Sequence, residues 1–160
     1  MKKIFFLTLC LFVINQCFTQ TLIVTGGWTS TLASTSITEA GLNYPTGDLS
    51  SAVNQSLIEV NSAKNTVAFV SIQKSDTSWD AGLIILALRT GIGVGSNNFS
   101  VTGGTTPLAI TNVPQRFFEV SVGNGSSKVS NIPIQYLIRG FTVLMPVRTY
   151  TTTIIYTVSN

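Results

Sequence analysis

Three short patterns in this 160-residue chain carry the residue types that chemistry needs. Ser71-Ile72-Gln73-Lys74 has the S-x-x-K spacing in which a lysine amine activates a serine nucleophile. That chemistry needs the serine at a helix start with the lysine one turn later. Residues 66–72 instead read as a strand, which sends Ser71 and Lys74 to opposite faces, and no K-T-G element follows. Gly91-Ile92-Gly93-Val94-Gly95 suggests a phosphate cradle, but a dinucleotide loop needs a third glycine at the right spacing and a helix behind it. Position 96 is Ser and Asn97-Asn98-Phe99 follows, so the segment reads as a glycine-rich hairpin. Asp76 and Asp80 bracket Trp79, as a pair of glycosidase carboxylates beside a sugar platform would. Asp76-Thr77-Ser78 is also good turn chemistry, and Trp79 reads most simply as core at the head of the next strand.

Two other aromatic residues, Trp28 behind Gly26-Gly27 and Tyr44, join Trp79 as candidate stacking platforms for a glycan. Against these stands what is missing. The chain has no histidine, and its two cysteines, Cys10 and Cys17, both lie in the N-terminal apolar segment. Beyond that segment there is no imidazole base, no thiolate and no soft metal ligand. Asp48, Asp76 and Asp80 are scattered without the D-x-D-x-D-G spacing of a calcium loop. No catalytic residue, no cofactor and no metal is expected.

The elements that would position these residues begin after a leader. Lys2 and Lys3 precede an apolar run over residues 4–14, too short to span a bilayer, and polar residues follow. Residues 1–20 read as a cleaved signal peptide, with lipidation of Cys17 as the alternative that Gln16 disfavours. No later apolar stretch is long enough for a membrane helix, so no integral membrane segment is expected after cleavage, and the chain should be periplasmic, cell-surface or extracellular. Too few runs reach the length of an outer-membrane barrel strand. The formal charge of +3 falls to +1 without Lys2 and Lys3. The remaining basic residues are dispersed singly and read as solvated, which argues against nucleic acid as a partner.

Residues 21–160 form one domain, large enough to bury a core without covalent staples. Period-two alternation dominates. It is clearest over 150–158, where Tyr150, Thr152, Ile154, Tyr156 and Val158 face one way. Residues 132–139 alternate too, with Pro133 placing that strand at an edge or making its start irregular. Residues 141–145 alternate up to Pro146. Phe118, Val120 and Val122 oppose Phe117, Glu119 and Ser121. The unbroken run at 83–88 reads as a central strand covered on both faces, and 21–24, 57–60 and 66–72 are further strands. One helix candidate, 46–54, has Asp48 as its cap. Short strands between Gly/Asn/Ser/Pro clusters predict a single all-β domain, an antiparallel β-sandwich or a small barrel, with the sandwich preferred.

The C-terminal third adds a resemblance. Asn131-Ile-Pro-Ile-Gln-Tyr, Phe141-Thr-Val-Leu-Met-Pro and Arg148-Thr-Tyr-Thr-Thr-Thr-Ile-Ile-Tyr-Thr-Val resemble the last strands of spore coat protein U domains, among them archaic chaperone–usher pilin subunits. They are also similar to small exported proteins with the same ending and a Trp-containing middle strand. The chain has Pro146-Val147-Arg148 where that group has Pro-Ala-Gly, and no cysteines for the disulfide common among those pilins. The resemblance implies an Ig-like sandwich and association with copies of itself or other envelope subunits by strand addition. Residues 21–25 would serve as donor or as the domain's own first strand. The expected function is that of a non-enzymatic, pilin-like structural protein of the bacterial envelope or cell surface. The alternative is a small extracellular glycan- or surface-binding module using Trp28, Tyr44 or Trp79.

Overall fold

The computed structural model describes residues 20–32, 47–96, 98–124 and 128–160. Residues 1–19 of the predicted leader and Tyr44 lie outside them. Eleven strands run in chain order: β1 (Thr21–Thr25), β2 (Leu49–Ser50), β3 (Ser56–Asn61), β4 (Thr66–Ser78), β5 (Ile84–Arg89), β6 (Val94–Gly95), β7 (Phe99–Gly103), β8 (Leu108–Ala109), β9 (Gln115–Val122), β10 (Lys128–Arg139) and β11 (Thr151–Ser159). They form two antiparallel sheets, one ordered β1-β3-β10-β5-β8 with β2 and β6 also on β10, the other β11-β4-β9-β7. The predicted all-β sandwich is what the chain forms, and no helix occurs among the described residues.

Alternation explains which faces meet. Ile58, Val60, Ile85, Ala87, Val129, Ile132 and Ile134 from the first sheet pack on Ala68, Val70, Ile72, Phe118, Val120 and Val122 from the second. Each fully buried aliphatic side chain contributes about 1.5–3 kcal/mol. Along β5, Ile85 and Ala87 face this core while Leu86, pointing the other way, is also buried. The strand read as covered on both faces is covered so at its centre, although Ile84 at its start is exposed.

Several expectations change. Pro133 is not on an edge strand, because β10 pairs with β3 and β2 on one side and with β5 and β6 on the other. The strand tolerates it because β5 stops at Arg89, opposite Ile134, so no ladder donor is required from position 133. The Pro133 carbonyl accepts from the Thr90 amide at 3.0 Å, and the proline ring lies against Gly91, where a Cβ would come within 2.9 Å of it. The predicted irregularity is present nearby, as a register shift between Val129 and Ile132 with Asn131 at φ 56°. Residues 91–95 are therefore no hairpin. They form a jog between two strands on the same edge of β10, and Gly93 at φ 74° makes the kink.

Strict alternation puts Phe117 on the face of Glu119 and Ser121, opposite Phe118. A bulge places Phe118 opposite Val70 but Arg116 opposite Ser71, so Phe117 is an extra residue and turns inward. Both phenylalanines are buried, with ring centroids 5.3 Å apart in an edge-to-face arrangement. The helix candidate fails as well. Leu49–Ser50 pairs with Ile138 and Leu137 of β10, and the Asp48 carboxylate receives Arg139 at 2.7 Å instead of capping a turn. A single short turn has too few internal hydrogen bonds to compete with a sheet edge. Residues 141–145 do not form a strand either. Gly140, at φ 94° and pressed on the Gly82 carbonyl, turns the chain out of the sheet.

Two buried polar groups connect the sheets. Arg89, expected as a solvated charge, is only 5% exposed. Among the described residues its guanidinium has no carboxylate partner. It donates to the carbonyls of Gly91 at 2.6 Å, Gly103 at 2.9 Å and Val101 at 3.2 Å, tying β5 of one sheet to β7 of the other. The second connection is the Tyr136 hydroxyl, which donates to Ser56 Oγ at 3.1 Å and lies 2.9 Å from the Tyr156 hydroxyl across the core. Burial, then the adjoining Tyr136, pushes the Tyr156 phenol far above its ordinary value.

Two outcomes follow for stability. Arg89→Met leaves three inward carbonyls without a donor and should cost about 3 kcal/mol or more in urea unfolding. A midpoint equal to that of the unsubstituted protein would show that these bonds do not hold the sheets together. The Tyr156 shift stabilises the fold fully below the ordinary phenol pKa of 10.0, and that contribution is lost as pH rises above it. Unfolding midpoints measured from pH 8 to 11.5 should fall on the alkaline side, less steeply in Tyr156→Phe. Identical slopes would exclude this phenol as the cause.

Candidate functional site

The chemistry-bearing residues come together only in part. Ser71 and Lys74 lie on β4, three positions apart on opposite faces. The Lys74 amine is committed elsewhere, 2.5 Å from Asp76 Oδ2 and 5.7 Å from the centroid of Trp79. Thr152 Oγ1 donates to the other Asp76 oxygen at 2.8 Å. Burial raises the Asp76 pKa, but the Lys74 and Thr152 hydrogen bonds outweigh it and hold the carboxyl below its usual range. Asp80 has a separate task. Its Oδ1 accepts from the Gly82 amide at 2.9 Å in the turn before β5, and its Oδ2 lies 3.9 Å from Arg148. The two carboxylates are thus engaged by different partners.

Trp79 follows the end of β4 and does not head β5. Its ring packs partly buried against the core, and its indole N–H donates to the Leu83 carbonyl at 2.8 Å. Trp28 also packs partly buried on the core, behind Gly26 at φ 97°, where the Gln55 backbone leaves no room for a Cβ. Both rings serve the core with one surface and reach solvent with the rest.

Across the second sheet, Arg116 stacks on Phe69, its guanidinium carbon 3.8 Å from the ring centroid, and pairs with Glu119. The carboxyl of Glu119 is held below its usual range by hydrogen bonds from Thr102 and Arg116. Thr102, Gly103, Arg116 and Glu119 line a shallow hollow of about 340 Å³ between β7 and β9. Its charges are matched within the hollow. Among the described residues no group of three Asp, Glu, Cys or His side chains lies close enough to hold a metal, and no helix is long and apolar enough to cross a membrane.

The features without an internal purpose are the sheet edges. The first sheet ends in β1 and in β8, which is only two residues long. The second ends in β7, five residues, and β11, nine residues. The carbonyls of Val101 and Gly103, which share an edge of β7 by the period-two rule, are occupied by Arg89. β1 pairs with β3 in unbroken register from Thr21↔Asn61 to Thr25↔Leu57, yet four of its five residues are exposed, Ile23 by 50%. Sequence reasoning identified the apolar residues of β1 and the alternation of β11. It expected strand addition but did not say which strands form the edges, because edge position is a property of strand order.

No protein-family model matches the chain, and searches of curated proteins and of solved structures return no match.

The Lys74–Asp76–Thr152 group acts as a brace between the end of β4 and β11. The lowered Asp76 pKa means that its contribution is present above the ordinary value of 3.8 and is lost as pH falls through the depressed one. Asp76→Asn should lower stability at pH 7 by about 1 kcal/mol and flatten the acid limb of the stability profile. An unchanged acid limb would assign the acid sensitivity to other carboxylates.

Proposed function

We propose that this chain is an exported, non-enzymatic structural subunit of the bacterial envelope or cell surface, a pilin-like Ig-like domain that associates by strand addition. The observation that carries this reading is the seat of β1. It is the first strand after the predicted cleavage site, among the described residues it joins the sheet through β3 alone, and it leaves Ile23 and Val24 exposed. A short strand held by one ladder, followed by Gly26-Gly27, can sit on β3 of its own domain or on β3 of a neighbour with the same main-chain hydrogen bonds. The non-enzymatic reading is supported by the absence of histidine, the separation of Ser71 from Lys74 and the separate commitments of Asp76 and Asp80. The glycan-module reading draws on Trp28 and Trp79, and receives less support because both rings pack on the core.

A cysteine pair tests the exchange. Ile23 and Glu59 are cross-strand partners, and beyond the predicted leader there is no other cysteine to interfere. In the doubly substituted chain, Ile23→Cys with Glu59→Cys, oxidation of the assembled protein should give a ladder of intermolecular disulfides on non-reducing gels. Intramolecular bridging alone, at every protein concentration, would place β1 permanently in its own domain and sink the exchange.

A further inference from the structure

The four terminal edges are not equally protected. Exposed strand edges invite pairing, and proteins blunt them with short strands, charged side chains, prolines or covering groups. β8 is two residues long and follows Pro107. β7 has its carbonyls at 101 and 103 taken by the buried Arg89 guanidinium and ends at Gly103 and Gly104, both with positive φ. β1 is five residues long. Among the described residues β11 has none of these devices, although β1 of the other sheet lies near it. Thr151–Ser159 reads TTTIIYTVS, nine residues without a charge, a proline or a glycine, and six of them are Thr or Ile. Among the described residues it pairs with β4 alone.

We infer that β11 is a docking edge for a second copy of this chain, joined antiparallel about a two-fold axis at Ile155. The strand's own pattern is self-complementary in that register. Full overlap of nine residues with nine puts Ile155 opposite Ile155, Thr153 opposite Thr157 and Thr151 opposite Ser159 on the outer face. On the inner face it puts Ile154 opposite Tyr156 and Thr152 opposite Val158. Ile154, Tyr156 and Val158 already pack against the core, so the pairing continues both the ladder and the apolar face. No like charges meet, because the strand carries none, and β-branched and aromatic cross-strand pairs are favourable. The result is a closed, isologous dimer with one continuous eight-stranded sheet made from two four-stranded ones. This contact uses a different edge from the β1 exchange, and either can exist without the other.

The register is testable by exchanging charge at Thr153 and Thr157, both exposed, so that neither substitution touches the core. The full chain, taken through export and purified, should sediment as a concentration-dependent dimer. The double variant T153K/T157K sets lysine opposite lysine twice and should weaken dimerisation about tenfold or more, as should T153E/T157E. Circular dichroism and urea midpoints equal to those of the parent confirm that both remain folded. Mixed in equal amounts, the lysine and glutamate variants should form a heterodimer, since each new charge then faces its opposite. A parent chain that stays monomeric up to hundreds of micromolar overturns the proposal, as does a dimer unaffected by either variant. A mixture that fails to associate overturns the register. The disulfide ladder of the Ile23/Glu59 pair is read in the same preparations and reports separately on β1.

Discussion

β10 is hydrogen-bonded along both edges for nearly its full twelve residues, and the first sheet is arranged around it. Two pairs of strands, β3 with β2 and β5 with β6, line its sides, and the break between β5 and β6 falls beside the irregular part of β10. A chain with no cysteine beyond its N-terminal apolar segment has no disulfide to fix such an order. It depends instead on main-chain ladders and on inward alternation at Val129, Ile132, Ile134 and Tyr136, where a slip of one residue would turn the apolar set toward solvent. The bulge before Ile132 lets Val129 and Ile132, an odd number of residues apart, both face the core.

The apolar core alone would allow the sheets to slide, since aliphatic contacts have little direction. Arg89 and the Tyr136–Tyr156 pair supply that direction. The guanidinium reads three carbonyls in a fixed fork, so β5 and β7 have one relative position in which all three are satisfied. The hydroxyl chain from Ser56 through Tyr136 to Tyr156 does the same for β3, β10 and β11. Satisfied buried polar groups of this kind define geometry more than they add stability. Arg89 has a second consequence, because the carbonyls it occupies lie on an edge strand that would otherwise be open. The same residue that aligns the sheets thereby leaves β11 as the long unprotected edge.

Strand existence was largely readable. The alternation over β4, β9, β10 and β11 and the apolar run of β5 are local signals, and the structure places strands on each. Residues 141–145 carry the same alternation and form none, because Gly140 directs the chain away from any partner ladder. Asp48 has the chemistry of a helix cap but is drawn to Arg139, and the neighbouring Leu49–Ser50 joins β10. Phe117 follows a face assignment that was correct for Phe118, Val120 and Val122 and is displaced by one inserted residue. Of the aromatic candidates, Trp28 and Trp79 are half-committed to the core in a way that composition does not reveal.

The sequence by itself determined the class of structure and the chemistry that is missing, because β-periodicity, turn residues and the absence of histidine are properties of single positions and their near neighbours. Tertiary structure decided which strands are central, where bulges fall, that Arg89 is buried and which edges remain open. Those depend on strand order, and strand order is set by pairings between segments far apart in the chain. Tyr136 meets Tyr156 across the core and Arg89 reaches Val101 in the other sheet, and neither contact has a local signature. Pro133 shows the limit most directly: its missing N–H is a local fact, but whether a neighbour needed that donor was decided by β5 ending at Arg89.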